Sequence, residues 1–406
     1  MRTVRLSSAV RPVLAACAVA HMAGCAVRLP HNLDEQVAGW YLNPTEQKQR
    51  TISAYKLSSA QLDSLLKRAK PPDPNREPHS VMLADKQDTR YALGILPPET
   101  FHEDSLYPLV IYLHGGVGTH KVTKGEDAYQ MFAPLADSLA LFVASPSANR
   151  IVPWWSARGL ERILRALRYM SLQYPIDPDR VVLAGVSDGA TGCWAAASAI
   201  PGPFAGFIAV SGFGGMLPRL NTPVIPANLR QRPIYNVNAG KDHLYPIEYV
   251  NSFLDRLVEE GVDVRRKVYP DAKHGFDYRE QELGTLAGLV RSWRRPRRTS
   301  VAWTIVPGLP NVADNLLSWT SAPGGQGPAF IRARFDDAVL TVRADGIERA
   351  VLTLGNTPEG ETRLVVNDGP PRAIKPQSPD TSELLRMIQH TCFPRTVDFL
   401  VYSIDI

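Results

Sequence analysis

What the chain has little of narrows the field first. Four cysteines and nine histidines are scattered over 406 residues, and no group of them has the spacing of metal ligands. No metal is therefore expected. Basic and acidic residues nearly balance, with a formal charge of +5. Arg2, Arg5 and Arg11 belong to a leader that export would remove, so the remaining excess is too slight to indicate nucleic acid as a partner. After residue 30 no apolar run is long enough to cross a bilayer, and no repeat recurs at a solenoid period. Length suggests two or three domains, and an apolar content of 44% provides for a sizeable core.

Residues 1–24 read as an export signal. The basic start precedes a moderately apolar stretch from Pro12 to Gly24, and a cysteine follows. Met22-Ala23-Gly24-Cys25 resembles a bacterial lipobox, which implies cleavage before Cys25 and acylation of its thiol. Leu14-Ala15-Ala16-Cys17 fits too, but leaves an apolar region of only a few residues. The expected place of the protein is thus the cell envelope, anchored to a membrane through Cys25, or otherwise secreted. Cys193 and Cys392 remain; they are a candidate disulfide, although Cys193 falls among small residues where a buried free thiol is expected.

Four segments follow. Residues 25–78 read as a helical extension or tether, with a serine-capped helix after Ser58 that Pro71-Pro72-Asp73-Pro74 stops. Across 79–296 strands and helices alternate, which predicts a mostly parallel sheet flanked by helices. Tyr107–Leu113 and Leu141–Ser145 are candidate strands, and Asp127–Leu139 a candidate helix. Leu160, Ile163, Leu164 and Leu167 have amphipathic helical spacing. Arg291, Arg294, Arg295, Arg297 and Arg298 surround Pro296. A positively charged helix end and linker is the simpler reading; a patch for anionic lipid is the other. Residues 300–406 turn to short alternating runs between Gly, Asp, Asn and Pro turns, which predicts a C-terminal antiparallel β domain. A helix from Thr381 to Gln389 interrupts it.

The chemistry centres on Val181-Val-Leu-Ala-Gly185-Val-Ser187-Asp-Gly189. An apolar strand runs into a sharp turn, and small residues from Ala190 to Ala197 continue as a helix. Glycines at 185 and 189 let strand and helix approach without Cβ atoms between them. Ser187 then stands at a helix N-terminus, where backbone N–H groups favour an anion. A bland tight turn is the competing reading. A serine hydroxyl needs a base. Only His243, His274 and His390 follow Ser187. His390 falls in the β region, and His243 adjoins Asp242 on one loop, where neighbours point apart. His274, just past the last strand of the α/β region, is the expected base. Asp242, after the strand Pro233–Val237, is the expected carboxylate partner; Asp271 competes but shares a short loop with His274. The N–H of Asp188 and one from the Gly115-Gly116-Val117 run are the expected oxyanion donors, Gly116 first and Val117 second. His114 is expected to brace this loop. Trp154 and Trp155 are candidates for an acyl or aryl pocket, or for packing beneath the next helix.

Taken together, Leu113-His114-Gly115-Gly116, Gly185-Val-Ser187-Asp-Gly189, Ala239-Gly-Lys-Asp242 and Lys273-His274-Gly-Phe resemble the α/β-hydrolase superfamily. The chain is most similar to its polyhydroxybutyrate depolymerase, feruloyl esterase and prolyl-oligopeptidase-like group. The resemblance covers roughly residues 80–295 and departs mildly at Ala190, where many members have glycine. It implies a serine carboxylester hydrolase, with Ser187, Asp242 and His274 in the catalytic roles, no cofactor, and a small or oligomeric ester as substrate. The alternatives are a serine peptidase on the same triad, and a non-catalytic surface lipoprotein on a hydrolase scaffold.

Overall fold

The computed structural model describes residues 29–70, 73–296, 298–322, 328–353, 362–394 and 400–406. The leader with Cys17 and Cys25, the Pro71-Pro72 pair and Arg297 lie outside them.

Eight strands build the main sheet: β1 (His79–Ala84), β2 (Arg90–Leu96), β3 (Tyr107–Leu113), β4 (Phe142–Pro146), β5 (Ile176–Val186), β6 (Gly206–Val210), β7 (Ile234–Ala239) and β8 (Val264–Tyr269). They lie in the order β1-β2-β4-β3-β5-β6-β7-β8. β2 is antiparallel to both neighbours; all pairings from β4 through β8 are parallel. This is the α/β-hydrolase fold that the motif order implies. The helices are α1 (Leu33–Leu42), α2 (Glu46–Ser53), α3 (Ser59–Arg68), α4 (Ala133–Ala136), α5 (Ala157–Gln173), α6 (Asp188–Ala199), α7 (Pro226–Leu229), α8 (Ile247–Glu259), α9 (Arg279–Ser292) and α10 (Thr381–Thr391).

The sheet is buried on both faces because its central strands carry apolar side chains on both, as in Leu109–Leu113, Val181–Ala184 and Phe207–Val210. In β3, Leu109, Ile111 and Leu113 enter one core with α5, α6 and α8. Val110 and Tyr112 enter the opposite one with α9. Each such aliphatic side chain is worth about 1.5–3 kcal/mol on burial. On α5 the predicted stripe Leu160, Ile163, Leu164 and Leu167 is buried, and Ser156 caps the helix by accepting the Gly159 N–H at 3.0 Å. The helix expected over Asp127–Leu139 is instead a 3-10 turn, Ala128–Met131, and the single turn α4. Pro134 has no N–H with which to extend the first turn into the second.

The C-terminal region holds a five-stranded sheet, β15-β14-β12-β11-β9, and a three-stranded one, β10-β13-β16. Their strands are β9 (Ser300–Thr304), β10 (Leu316–Ser321), β11 (Phe330–Asp336), β12 (Val339–Asp345), β13 (Ile347–Thr353), β14 (Thr362–Val366), β15 (Arg372–Ile374) and β16 (Val401–Asp405). The described pairings are antiparallel except β12 with β14, which is parallel. Ile331, Ala333, Leu340 and Val342 face inward between exposed neighbours.

One expectation changes here, and the choice between a disulfide and free thiols is decided for the free thiols. The segment read as a tether is docked: Val37, Trp40, Ile52, Leu62 and Leu66 of α1–α3 form one apolar cluster with Leu172 of α5 and Leu384, Leu385 and Ile388 of α10. The Tyr41 hydroxyl donates to the Cys392 carbonyl at 2.6 Å. Cys193 and Cys392 are both buried and free, so they form no disulfide. The arginine-rich end of α9 is partly consumed in structure. Arg294 donates to the carbonyl of Arg291 at 2.7 Å, and Arg295 reaches Asp179 at 3.1 Å.

Arg232 ties the α/β body to the C-terminal region. It is 2% exposed, and donates to both oxygens of Asp314 at 2.7 Å and to the carbonyls of Phe204, Gln231 and Gly202. Asp314→Ala leaves that guanidinium buried without its carboxylate, which should cost about 3–5 kcal/mol. A denaturant titration reads it as a lower midpoint; an unchanged midpoint would mean that water or another acceptor replaces the pair.

Candidate active site

Ser187 occupies the turn between β5 and α6 with φ 53° and ψ −118°, a conformation that costs a residue with a side chain of order 1–3 kcal/mol. The surroundings hold it there. Its N–H donates to the Val210 carbonyl at 2.9 Å, and its own carbonyl accepts the Thr191 N–H at 3.0 Å. Both flanking positions require glycine: a Cβ on Gly185 would lie 2.4 Å from the Gly189 carbonyl carbon, and one on Gly189 would lie 1.9 Å from the Leu113 carbonyl oxygen. Ser187 is therefore presented, half-buried, above the first turn of α6, whose N–H groups have no partners within the helix.

His274 comes from the loop after β8. Its Nε2 lies 3.0 Å from Ser187 Oγ, and its Nδ1 lies 2.7 Å from Asp242 Oδ2. Asp242, 4% exposed, follows β7; its Oδ1 accepts the N–H groups of Leu244 and Tyr245 at 2.9 and 3.0 Å. Those two bonds turn Oδ2 toward the imidazole. An ionised carboxylate only accepts, so Nδ1 carries the proton and the Nε2 lone pair faces the serine hydroxyl. The structure thus brings together the three residues singled out from sequence. It does not bring the competitors there. His243 is exposed, Asp271 pairs with Lys241 at 2.7 Å, and His390 lies in α10, where burial pushes its pKa down to about 4.

The loop after β3 approaches the turn closely, since a Cβ on Gly115 would sit 3.0 Å from Ser187 Cβ. His114 accepts the Ala148 N–H on Nε2 at 3.1 Å; its Nδ1 therefore carries the proton and donates to the Gly115 carbonyl at 2.9 Å. Burial pushes its pKa down to about 4, so the ring is a neutral brace at ordinary pH. Gly116 has φ +63°, and its N–H has no acceptor among the described residues. The N–H of Val117 is different: it donates to Asp188 Oδ2 at 2.8 Å. Val117, the second choice from sequence, is thus occupied.

Trp154 requires a correction. It is fully buried, its Nε1 donates to the His114 carbonyl at 2.9 Å, and it fills the space left by Gly192 of α6. It packs beneath the loop and lines no open pocket. Trp155 is half-buried against the same core, and its carbonyl accepts from Thr222. Trp154→Phe should lower stability by about 2–3 kcal/mol, from lost volume and an unmet carbonyl. Relative turnover across acyl chain lengths should stay as in the wild type. A change in that ranking, measured with a series of esters, would restore Trp154 to the pocket.

Tyr245 was not singled out from sequence. Its ring meets the His274 ring edge-on, with centroids 5.5 Å apart and planes at 62°. Burial, then the charge of Asp188, raises the pKa of its hydroxyl. The available signal was its place three residues after Asp242. Among the described residues no three His, Cys, Asp or Glu side chains gather as metal ligands, and no helix is long and apolar enough to cross a membrane.

The model of the dienelactone hydrolase family matches residues 147–299, a span that contains Ser187, Asp242 and His274. No curated protein matches the chain. Among solved structures, a thermostable esterase is 20% identical over 54% of this chain and 63% of its own, with a TM-score of 0.46. The acylaminoacyl peptidase of Pyrococcus horikoshii is 14% identical over 54% of this chain and 42% of its own, with a TM-score of 0.44. The S-formylglutathione hydrolase of Staphylococcus aureus is 16% identical over 54% of this chain and 98% of its own, with a TM-score of 0.41. The chain therefore spans less than two thirds of the first two.

Proposed function

We propose that this α/β-hydrolase cleaves carboxylic esters through an acyl-enzyme formed on Ser187. The observation that carries the reading is the unbroken hydrogen-bonded chain Ser187–His274–Asp242, at 3.0 and 2.7 Å. In this reading Ser187 Oγ attacks the ester carbonyl as His274 Nε2 takes its proton. The charge that develops on the carbonyl oxygen meets the N–H groups of Gly116 and Asp188, and one such donor is typically worth about 10²–10³ in rate. The imidazolium, stabilised by Asp242, returns the proton to the leaving alkoxide. Water then enters, gives its proton to His274, and its oxygen attacks the acyl carbon. The carboxylic acid leaves as Ser187 recovers its proton. No step calls for a metal or an organic cofactor.

The same groups cleave amides, so the test sets p-nitrophenyl acyl esters against aminoacyl-anilides on the full chain. Ester turnover with negligible anilide turnover is expected. Preferential anilide cleavage would make it a peptidase, and no turnover of either would favour a non-catalytic binding role.

Export and acylation at Cys25 belong to the same proposal, on the strength of the basic leader and the Met22-Ala23-Gly24-Cys25 sequence. Expressed in a bacterium fed labelled palmitate, the wild type should carry label in the membrane fraction and Cys25→Ser should not. Equal label in both would remove the anchor.

A further inference from the structure

We infer that Lys124 and Asp188 act as positioning residues, clamping the two ends of the Gly116–Val117 peptide and so leaving the Gly116 N–H as the loop's oxyanion donor; this rests on the hydrolase reading above. The Lys124 ammonium donates to the Gly116 carbonyl at 2.8 Å, and Asp188 Oδ2 accepts the Val117 N–H at 2.8 Å. That carbonyl and that N–H belong to one peptide plane. Its dipole therefore lies between a cation and an anion, each bonded to the end of opposite sign. Charge-assisted hydrogen bonds are the stronger class. Rotating the plane by half a turn would face carbonyl to carboxylate and N–H to ammonium, losing both bonds and setting like against like.

The loop needs such a clamp because of its glycines. Gly115 must lack a Cβ to pass Ser187, and Gly116 adopts φ +63°. A Gly-Gly segment has low barriers to peptide reorientation; a flip of the Gly115–Gly116 plane would aim the Gly115 carbonyl, rather than the Gly116 N–H, at the developing negative charge, and fixing the next plane restrains Gly116, about whose φ that flip would turn. The preceding plane is held at one end only: His114 Nδ1 donates to the Gly115 carbonyl at 2.9 Å. Its other end is the Gly116 N–H, which has no acceptor among the described residues. One plane is pinned at both ends and the other at its carbonyl, which leaves one donor open. The second open donor is the backbone N–H of Asp188, so this residue acts twice, through its main chain and through its carboxylate.

The test uses the full chain with a p-nitrophenyl ester and a trifluoromethyl ketone, which adds Ser187 to form a tetrahedral oxyanion. Asp188→Ala should lower kcat at least tenfold with KM changed less than threefold, because the lost interaction is realised in the transition state. Its affinity for the ketone should fall by the same factor as kcat/KM. Asp188→Asn keeps an acceptor for the Val117 N–H and should recover most of the loss. Lys124→Ala, at a half-exposed position, should lower kcat threefold or more with an unchanged melting temperature, and it carries the test if Asp188→Ala fails to fold. Wild type that reacts with a fluorophosphonate and hydrolyses the ester, alongside Asp188→Ala and Lys124→Ala within twofold of it, overturns the clamp alone. Asp188→Asn as impaired as Asp188→Ala overturns it too, since an acceptor for the Val117 N–H would then not be what the carboxylate supplies. A wild type inert to the fluorophosphonate overturns the hydrolase reading and the clamp together.

Discussion

Ser187→Ala should lower kcat for a p-nitrophenyl ester by at least about 10⁴-fold while leaving KM and the unfolding midpoint close to wild type. The loss is large because the neighbouring hydroxyl cannot stand in: Thr191, the next along α6, is 2% exposed. What remains should be the modest rate that the oxyanion donors give to water attack. The fold should not suffer. Alanine at 187 keeps the Cβ, and the backbone bonds to Val210 and Thr191 that hold the turn are main-chain bonds. Steady-state kinetics with a melting curve on the same sample reads both. A decrease of only two- or threefold would mean that another group does the chemistry.

Asp242→Asn should be nearly as damaging, about 10⁴-fold in kcat, for a reason that the hydrogen bonds spell out. Oδ1 accepts two backbone N–H groups, from Leu244 and Tyr245. An asparagine must keep its oxygen there, which puts its NH₂ where Oδ2 now faces His274 Nδ1. The imidazole then accepts at Nδ1 and carries its proton on Nε2, toward Ser187. It can no longer take the serine proton. Asp242→Ala removes the wrongly placed donor as well as the carboxylate, so it should be no worse than the asparagine variant. Activity of Asp242→Asn within tenfold of wild type would show that the carboxylate does not set the tautomer.

The parts of this molecule that depend on short stretches of chain were legible in the sequence. The turn at Ser187 announces itself because an apolar strand, two glycines at fixed offsets and a run of small residues each have a steric reason. The Gly185 and Gly189 contacts at 2.4 and 1.9 Å are that reason in space. Asp242 and His274 were found by their places after β7 and β8, where a parallel sheet delivers loops to one edge. The parts that depend on distant partners were not legible. Val117 looks as available as Gly116 until the Asp188 side chain is placed. Trp154 looks like pocket lining until Gly192, on another helix, receives it. The docking of α1–α3 rests on α10, more than 300 residues away at the Tyr41–Cys392 contact (|i−j| = 351). The parallel pairing of β12 with β14 has no local signature at all, because alternation sets which face is buried and not which strand lies alongside.

The central claim is that Ser187 is the nucleophile, and mass spectrometry after incubation with a fluorophosphonate tests it most directly. One phosphonyl adduct per chain is expected, located on the peptide that contains Ser187, and none on the Ser187→Ala protein. An unmodified wild type, or an adduct on any other residue, would contradict it.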